Sequence, residues 1–243
     1  MSSQNSPPKI RENAPERRHA RSDATKNSLK RAAETLIAEH GVENISIRDI
    51  VLAAEQKNES ALQYHFKNLS GLLQAIHQER GEQIQQKRAE LLAARLEYSD
   101  ALELRDLSSL MVAPAFELAR DDPQFRRYVK AFGHKLALSD SSAIKYAGSA
   151  KSAQELGQLL RDALPHLDEK DYKSRLAAAI RLSSASMHQQ ALQKNAFRGM
   201  QADLFFQQLI DALFGLLSGP VSLHTKALKE TSKTSKSARQ RKD

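Results

Sequence analysis

SIRDIVLAAEQKNESALQYHFKNLSGLL, residues Ser46 to Leu73, reads as two short helices joined by a polar turn. Ser46 and Asp49 have the Ser-x-x-acid spacing that satisfies free amides at a helix start and suits its dipole. Ile47, Ile50, Val51 and Ala54 recur every three or four residues, so they share one face of that helix. Glu55-Gln56-Lys57 has no apolar member. Asn58 is a second good N-cap, after which Ala61, Leu62 and Phe66 keep helical spacing. The exposed positions of the second helix carry groups suited to DNA. Glu59, Ser60, Gln63 and Lys67 can reach base edges or phosphates, and Tyr64 and His65 can bond phosphate oxygens. That is the layout of a recognition helix entering a major groove while the preceding helix crosses the backbone.

Working outward, Ser22 or Asp23 can cap an earlier helix to about His40, with Leu29, Ala33, Leu36 and Ile37 on one face and Gly41 ending it. His40 at that C-terminus suits the dipole better than a metal. The three helices share a small expected core of Leu36, Ile37, Ile47, Ile50, Leu62 and Phe66. From about Ser70 a long helix follows through Leu72, Leu73, Ile76, Ile84, Leu91 and Leu92.

With these residues in view, the stretch from about 25 to 75 resembles the DNA-binding domain of the TetR family of bacterial transcriptional regulators. The resemblance is carried by Leu29, Ala32-Ala33, Leu36, Gly41, Ile50, Ala54, Leu72-Leu73 and above all Tyr64-His65-Phe66. It departs where many members have Gly and this chain has Glu55, and where the usual Lys is Leu69, for which Lys67 is a possible substitute. A variant with Gln-Arg-Asn-x-Ser-Ala before Gln-Tyr-His-Phe is closer to Gln56-Lys57-Asn58-Glu59-Ser60-Ala61. The resemblance implies a long helix joining the DNA-binding unit to a larger helical domain, a homodimer, a palindromic operator on double-stranded DNA and the usual role of repressor. A small-molecule effector of unknown identity and site is also implied.

In that light Ser46, Arg48, Asn58, Glu59, Ser60, Gln63, Tyr64, His65 and Lys67 are the DNA-binding candidates. Phosphate contacts fall to Ser46, Arg48, Tyr64, His65 and Lys67, and base reading to Ser60 and Gln63. Glu59 either accepts from a cytosine amino group or simply favours the helix N-terminus.

Composition sets the frame. The 243 residues include nine glycines, seven prolines, few aromatics and long runs rich in Ala, Leu, Gln, Glu, Lys and Arg, which favour an all-α protein. The net charge is +8; residues 1 to 31 and 221 to 243 each contribute +5, leaving −2 on the remaining 189. Basic ends on a near-neutral body suit an anionic polymer, or merely aid solubility. With no cysteine there is neither a disulfide nor a Cys-based zinc site. No segment reaches the ~20 apolar residues of a membrane span, and the N-terminus lacks a signal-peptide core, so a soluble, cytoplasmic protein is expected.

The expected organisation is a disordered basic arm over 1–21, a helix-turn-helix domain over 22–69, a helical regulatory and dimerisation domain over 70–218, and a disordered basic tail over 219–243. In the arm, Arg11, Arg17, Arg18 and Arg21 could enter a minor groove. Further on, a helix from near Ser99 contains Pro114, whose kink beside Met111, Val112 and Phe116 either opens an apolar pocket or is a packing bend. Asp121-Asp122-Pro123 starts another helix, Ser139 to Ser149 is a small-residue loop, and a helix near Ser152 to Leu164 is stopped by Pro165. The last two, from Asp168 and over Ala202 to Leu217, can pair antiparallel and meet a symmetry mate as a four-helix bundle. The family dimerises there, so the resemblance places Ile180, Ser183, Met187, Phe205, Leu209 and Leu213 in the dimer interface; the alternative is a pair packed only within the subunit.

No phosphate-binding Gly loop, His-Glu-x-x-His, Gly-x-Ser-x-Gly or EF-hand appears, so no enzymatic activity, cofactor or metal is expected. His134, His188, Arg126-Arg127, Arg175 and Arg181 could meet an acidic effector or be ordinary surface groups. Besides the effector-controlled repressor stands a DNA-binding architectural or partner-controlled factor with no effector.

Overall fold

The structure, a computed structural model, describes residues 14 to 99, 101 to 138 and 150 to 240. Among these there are α-helices, one short 3-10 turn (Val42–Asn44) and no strand. The chain divides into two compact units, Met1–Arg80 and Gly81–Asp243.

The first unit is built on α1 (Ala14–His40), α2 (Ile47–Ala53), α3 (Ser60–Phe66) and the first turns of α4 (Leu69–Tyr98). Gly41, at φ 81°, ends α1, and its amide donates to Ile37 O at 2.9 Å. Leu29, Ala33, Ile37, Ile50, Val51, Leu62, Leu72 and Ile76 form the core. Of the expected core, Leu36, Ile47 and Phe66 are only half-buried, because α4 supplies Leu72 and Ile76 in their place. About three turns of α4 beyond the expected boundary at residue 69 thus belong with α1, α2 and α3.

A charged pair also joins α4 to α1. Arg80 donates from Nε to Glu34 Oε1 at 2.7 Å and from Nη2 to Glu34 Oε2 at 2.8 Å, with side chains only 7% and 2% exposed. Side-on bidentate pairing is the strongest geometry open to a guanidinium and a carboxylate. Lys30 and Glu79 form a second ion pair, one turn earlier on α1 and one residue earlier on α4. Residues 14 to 21, expected within a disordered arm, are the first turns of α1; Arg18 and Arg21 lie on its exposed surface, and residue 11 lies outside the described residues.

The second unit comprises the rest of α4, α5 (Leu104–Asp121), α6 (Pro123–Leu138), α7 (Lys151–Asp162), α8 (Glu169–Ala191), α9 (Met200–Ser218) and α10 (Leu223–Gln240). α5 begins at Leu104, later than expected, because Glu103 and Asp106 form the capping pair. The expected loop over Ser139 to Ser149 falls outside the described residues. α6 and α8 approach closely at Gly133, where an added Cβ would lie 2.9 Å from His188 Cβ; Ser184 Oγ donates to Gly133 O at 2.7 Å.

Pro114 is buried inside α5, and the space beside it is filled. The Phe116 ring meets Phe206 at 4.5 Å, Phe197 at 5.6 Å and Phe205 at 6.4 Å between centroids, so the expected alternative of an apolar pocket there gives way to an aromatic core. The chain does not stop at Gly219-Pro220. It continues as α10, part of the expected disordered tail, which Lys229 ties to Asp168 at 2.7 Å and to Asp171 near the start of α8. That ammonium, together with the Asp171 amide, pulls the Asp168 carboxyl down to about 2.

Glu34→Ala should leave a buried guanidinium without its carboxylate and destabilise the first unit by ~3–5 kcal/mol. Urea unfolding followed by hydrogen exchange of α1 amides measures it; a loss below about 1 kcal/mol, the range of an exposed pair, would contradict the assignment.

Candidate nucleic-acid interface

Ser46 caps α2 as its sequence requires. Its Oγ accepts from Asp49 N at 3.2 Å while its own amide donates to Asp49 Oδ2 at 2.8 Å. The Ser46 hydroxyl and then its amide, both donating to the carboxylate, hold the Asp49 pKa below the ordinary range. Ile50 and Val51 turn inward, leaving Arg48 and Leu52 outside; Leu52 is 76% exposed. Ser28 Oγ on α1 donates to Ala54 O at 2.9 Å and anchors the end of α2.

The turn is made by backbone that glycine would adopt more readily. Glu55, at the position where many members of the resembled family carry Gly, has φ 56°. α3 then starts one residue later than Asn58 alone suggested. Glu59 occupies the N-cap position without a side-chain bond, and Asn58 Oδ1 accepts from Ser60 N at 3.1 Å.

α3 presents two faces. Leu62 is fully buried, with Ala61, His65 and Phe66 partly so. Ser60, Gln63, Tyr64 and Lys67, at spacings of three, four and seven, form the outward stripe, and Tyr64 is 84% exposed. Asn58 and Glu59 are exposed at its start, and Ser46 and Arg48 at the start of α2. The structure therefore keeps eight of the nine DNA-binding candidates exposed on two consecutive short helices. His65 is the exception. It is half-buried, and desolvation first, then the Lys26 charge, lower its pKa.

Two residues essential to this geometry were not singled out in the sequence. Asn68 Oδ1 accepts from Gly71 N at 2.9 Å in N-cap fashion, starting α4 immediately after α3. Gly71 sits so close that an added Cβ would overlap the Phe66 carbonyl oxygen. The signal was legible as Asn-x-x-Gly before an apolar run.

In the second unit the dimerisation candidates separate. Met187, Leu209 and Leu213 are 5%, 5% and 0% exposed and are packed in the second unit's own core. Ile180, Ser183 and Phe205 are half-buried; the exposed large apolar side chains of α8 and α9 are Leu182, Met200, Leu204 and Phe214. Arg126 donates to the Ala119 and Arg120 carbonyls, and Arg175 to those of Leu217 and Gly219, so both are committed to helix ends. The His134 and His188 rings lie 5.1 Å apart between α6 and α8. Among the described residues no group of three His, Asp or Glu could hold a metal, and no single helix is long and apolar enough to cross a membrane.

A capped positioning helix, a tight turn and a helix with a polar outward stripe define a helix-turn-helix unit, here followed by a larger all-helical unit. No family model and no curated protein matches the sequence. Among solved structures, a TetR-family transcriptional regulator of Rhodococcus sp. superposes with a TM-score of 0.53 at 15% identity, over 80% of this chain and 99% of its own. Another from Marinobacter aquaeolei VT8 gives 0.53 at 17% identity, over 80% and 97%. The chain has the fold of TetR-family regulators.

Gly71→Ala should destabilise the first unit by roughly 1–3 kcal/mol, since a backbone carbonyl must move to admit the methyl group. Chemical denaturation reads that loss, and an unchanged midpoint would refute the close approach. His65 gives a pH signature. Because its folded pKa is depressed, its contribution is complete above the ordinary value of 6.5 and is lost as pH falls through and below it. Thermal unfolding between neutral and acid pH should show this loss in the wild type and less of it in His65→Gln.

Proposed function

We propose that this protein is a sequence-specific DNA-binding transcriptional regulator, a homodimeric repressor released from a palindromic operator by a small-molecule effector. The observation that carries the reading is the outward stripe Ser60, Gln63, Tyr64 and Lys67 on α3, held by a capped α2 and a fixed α4 start. Gln63 can bond adenine bidentately and Ser60 can reach either kind of base, whereas Ser46, Arg48, Tyr64, His65 and Lys67 meet phosphates. Asn58 and Glu59 shape the start of the helix.

The DNA-reading part is the helix-turn-helix with the first turns of α4, and the second unit is the regulatory and dimerisation part. Ile180 and Ser183, joined by the exposed Leu182, Leu204 and Phe214, supply the apolar surface for a second subunit. Two recognition helices would then meet half-sites one helical turn apart, ~34–36 Å. Release requires an effector with greater affinity for a state whose recognition helices are wrongly spaced. The protein acts in the cytoplasm without catalysis.

The test is selection of bound sequences from random duplexes at about 0.15 M salt, where exposed charge alone no longer dominates. A palindromic motif is expected. Gln63→Ala should then lose ~1–3 kcal/mol at one base pair and relax preference there, while Lys67→Ala weakens all sequences alike and lowers the salt slope. Binding without a motif that vanishes as salt rises would instead assign the affinity to the basic ends.

A further inference from the structure

On α4, Ile84, Leu91 and Leu92 face the core of the second unit. Arg88 stands on the same stripe, four residues after Ile84 and three or four before the leucines. Its Nε is buried and has no hydrogen-bond partner among the described residues. Nη1 donates to Gln85 Oε1 at 2.8 Å, and that neutral oxygen also accepts from the Ser152 hydroxyl of α7 at 2.7 Å. No carboxylate reaches Arg88 among the described residues. Burial without an anion pushes the guanidinium down to about 10.

Other arginines show how this chain treats the group elsewhere. Arg95 meets Asp106 and Ser109, Arg120 meets Asp203, and Arg126, Arg161 and Arg175 meet main-chain carbonyls. Arg80, on the same helix, turns its Nε–Nη2 edge to both oxygens of Glu34. The equivalent edge of Arg88 has no acceptor among the described residues. An unmatched cation on a core-facing stripe lowers stability, which a bound anion would restore.

We propose that Arg88 is an anion-recognition site in the helical unit, its Nε–Nη2 edge taking the carboxylate of an amphipathic small-molecule acid whose apolar body lies along half-buried Ile84 and Leu91. Planar side-on pairing suits a carboxylate. A single charge suffices, because the neighbouring Lys87 is already paired with Glu117 at 2.9 Å. Arg88 is half-buried as a residue. The ligand's role as the effector rests on the regulator reading; its binding at Arg88 does not.

The experiment is calorimetric titration and thermal unfolding of the full chain with straight-chain carboxylates from butanoate to dodecanoate, beside octanol, octylamine and octyl phosphate. At least one carboxylate should bind and raise the Tm, with octanol and octylamine much weaker. Arg88→Met should unfold at no lower temperature than the wild type without ligand, and its affinity for that carboxylate should fall at least tenfold. The Nε–H resonance of Arg88 in the wild type should move on titration, which keeps the test decisive if the variant folds poorly. Absence of binding across the series, equal affinity in Arg88→Met, or an unmoved Nε–H signal would overturn the proposal. Tighter binding of octyl phosphate than of any carboxylate would overturn the assigned class. Duplex selection without ligand tests the regulator reading separately: carboxylate binding without a palindromic motif would leave the site standing and remove its regulatory role.

Discussion

The buried Glu34–Arg80 pair fixes the base on which α2 and α3 stand. α2 and α3 have seven residues each, too short to be stable alone, so their positions depend on what they pack against. α1 supplies one wall and the first turns of α4 the other. Apolar contacts such as Leu29, Leu72 and Ile76 bring those walls together, but they tolerate sliding. A bidentate guanidinium–carboxylate pair does not, because both hydrogen bonds are lost when either helix shifts along its axis or rotates.

α3 inherits its placement from backbone constraints at its two ends. Before it, Glu55 accepts a left-handed conformation to turn the chain within a few residues; after it, Lys67 also has positive φ, and Asn68 and Gly71 start α4 at once. The chain retains strained non-glycine residues at both corners, as happens where surrounding structure over-determines a functional geometry. Side chains on α3 then have little freedom to choose which face they present. Leu62 must turn inward, and Gln63, Tyr64 and Lys67 must turn out.

The second unit solves a different problem with the same chemistry. Its helix ends leave carbonyls that arginines satisfy: Arg126 at the end of α5, Arg161 after α7 and Arg175 at the end of α9. Read along the sequence, Arg126 and Arg175 could meet an acidic effector or be ordinary surface groups. Arg88, on the core-facing stripe of α4, is a guanidinium whose bonding edge is left over among the described residues. The difference lies in which carbonyls and carboxylates happen to be near, a matter of tertiary placement that no spacing rule contains.

Local chemistry written in adjacent residues was determined by the sequence itself: the Ser46–Asp49 capping pair, Gly41 as a helix end, the all-helical character, and the inward Leu62 against an outward Gln63 and Lys67. Each depends on interactions spanning seven residues or fewer, so periodicity and capping suffice. The tertiary structure decided what depends on distant neighbours. It carried Leu72, Ile76 and Arg80 into the first unit, filled the space beside Pro114 with Phe197, Phe205 and Phe206, and turned Met187, Leu209 and Leu213 into the subunit's core. An amphipathic stripe states that a face must be covered; only the packed chain states by what.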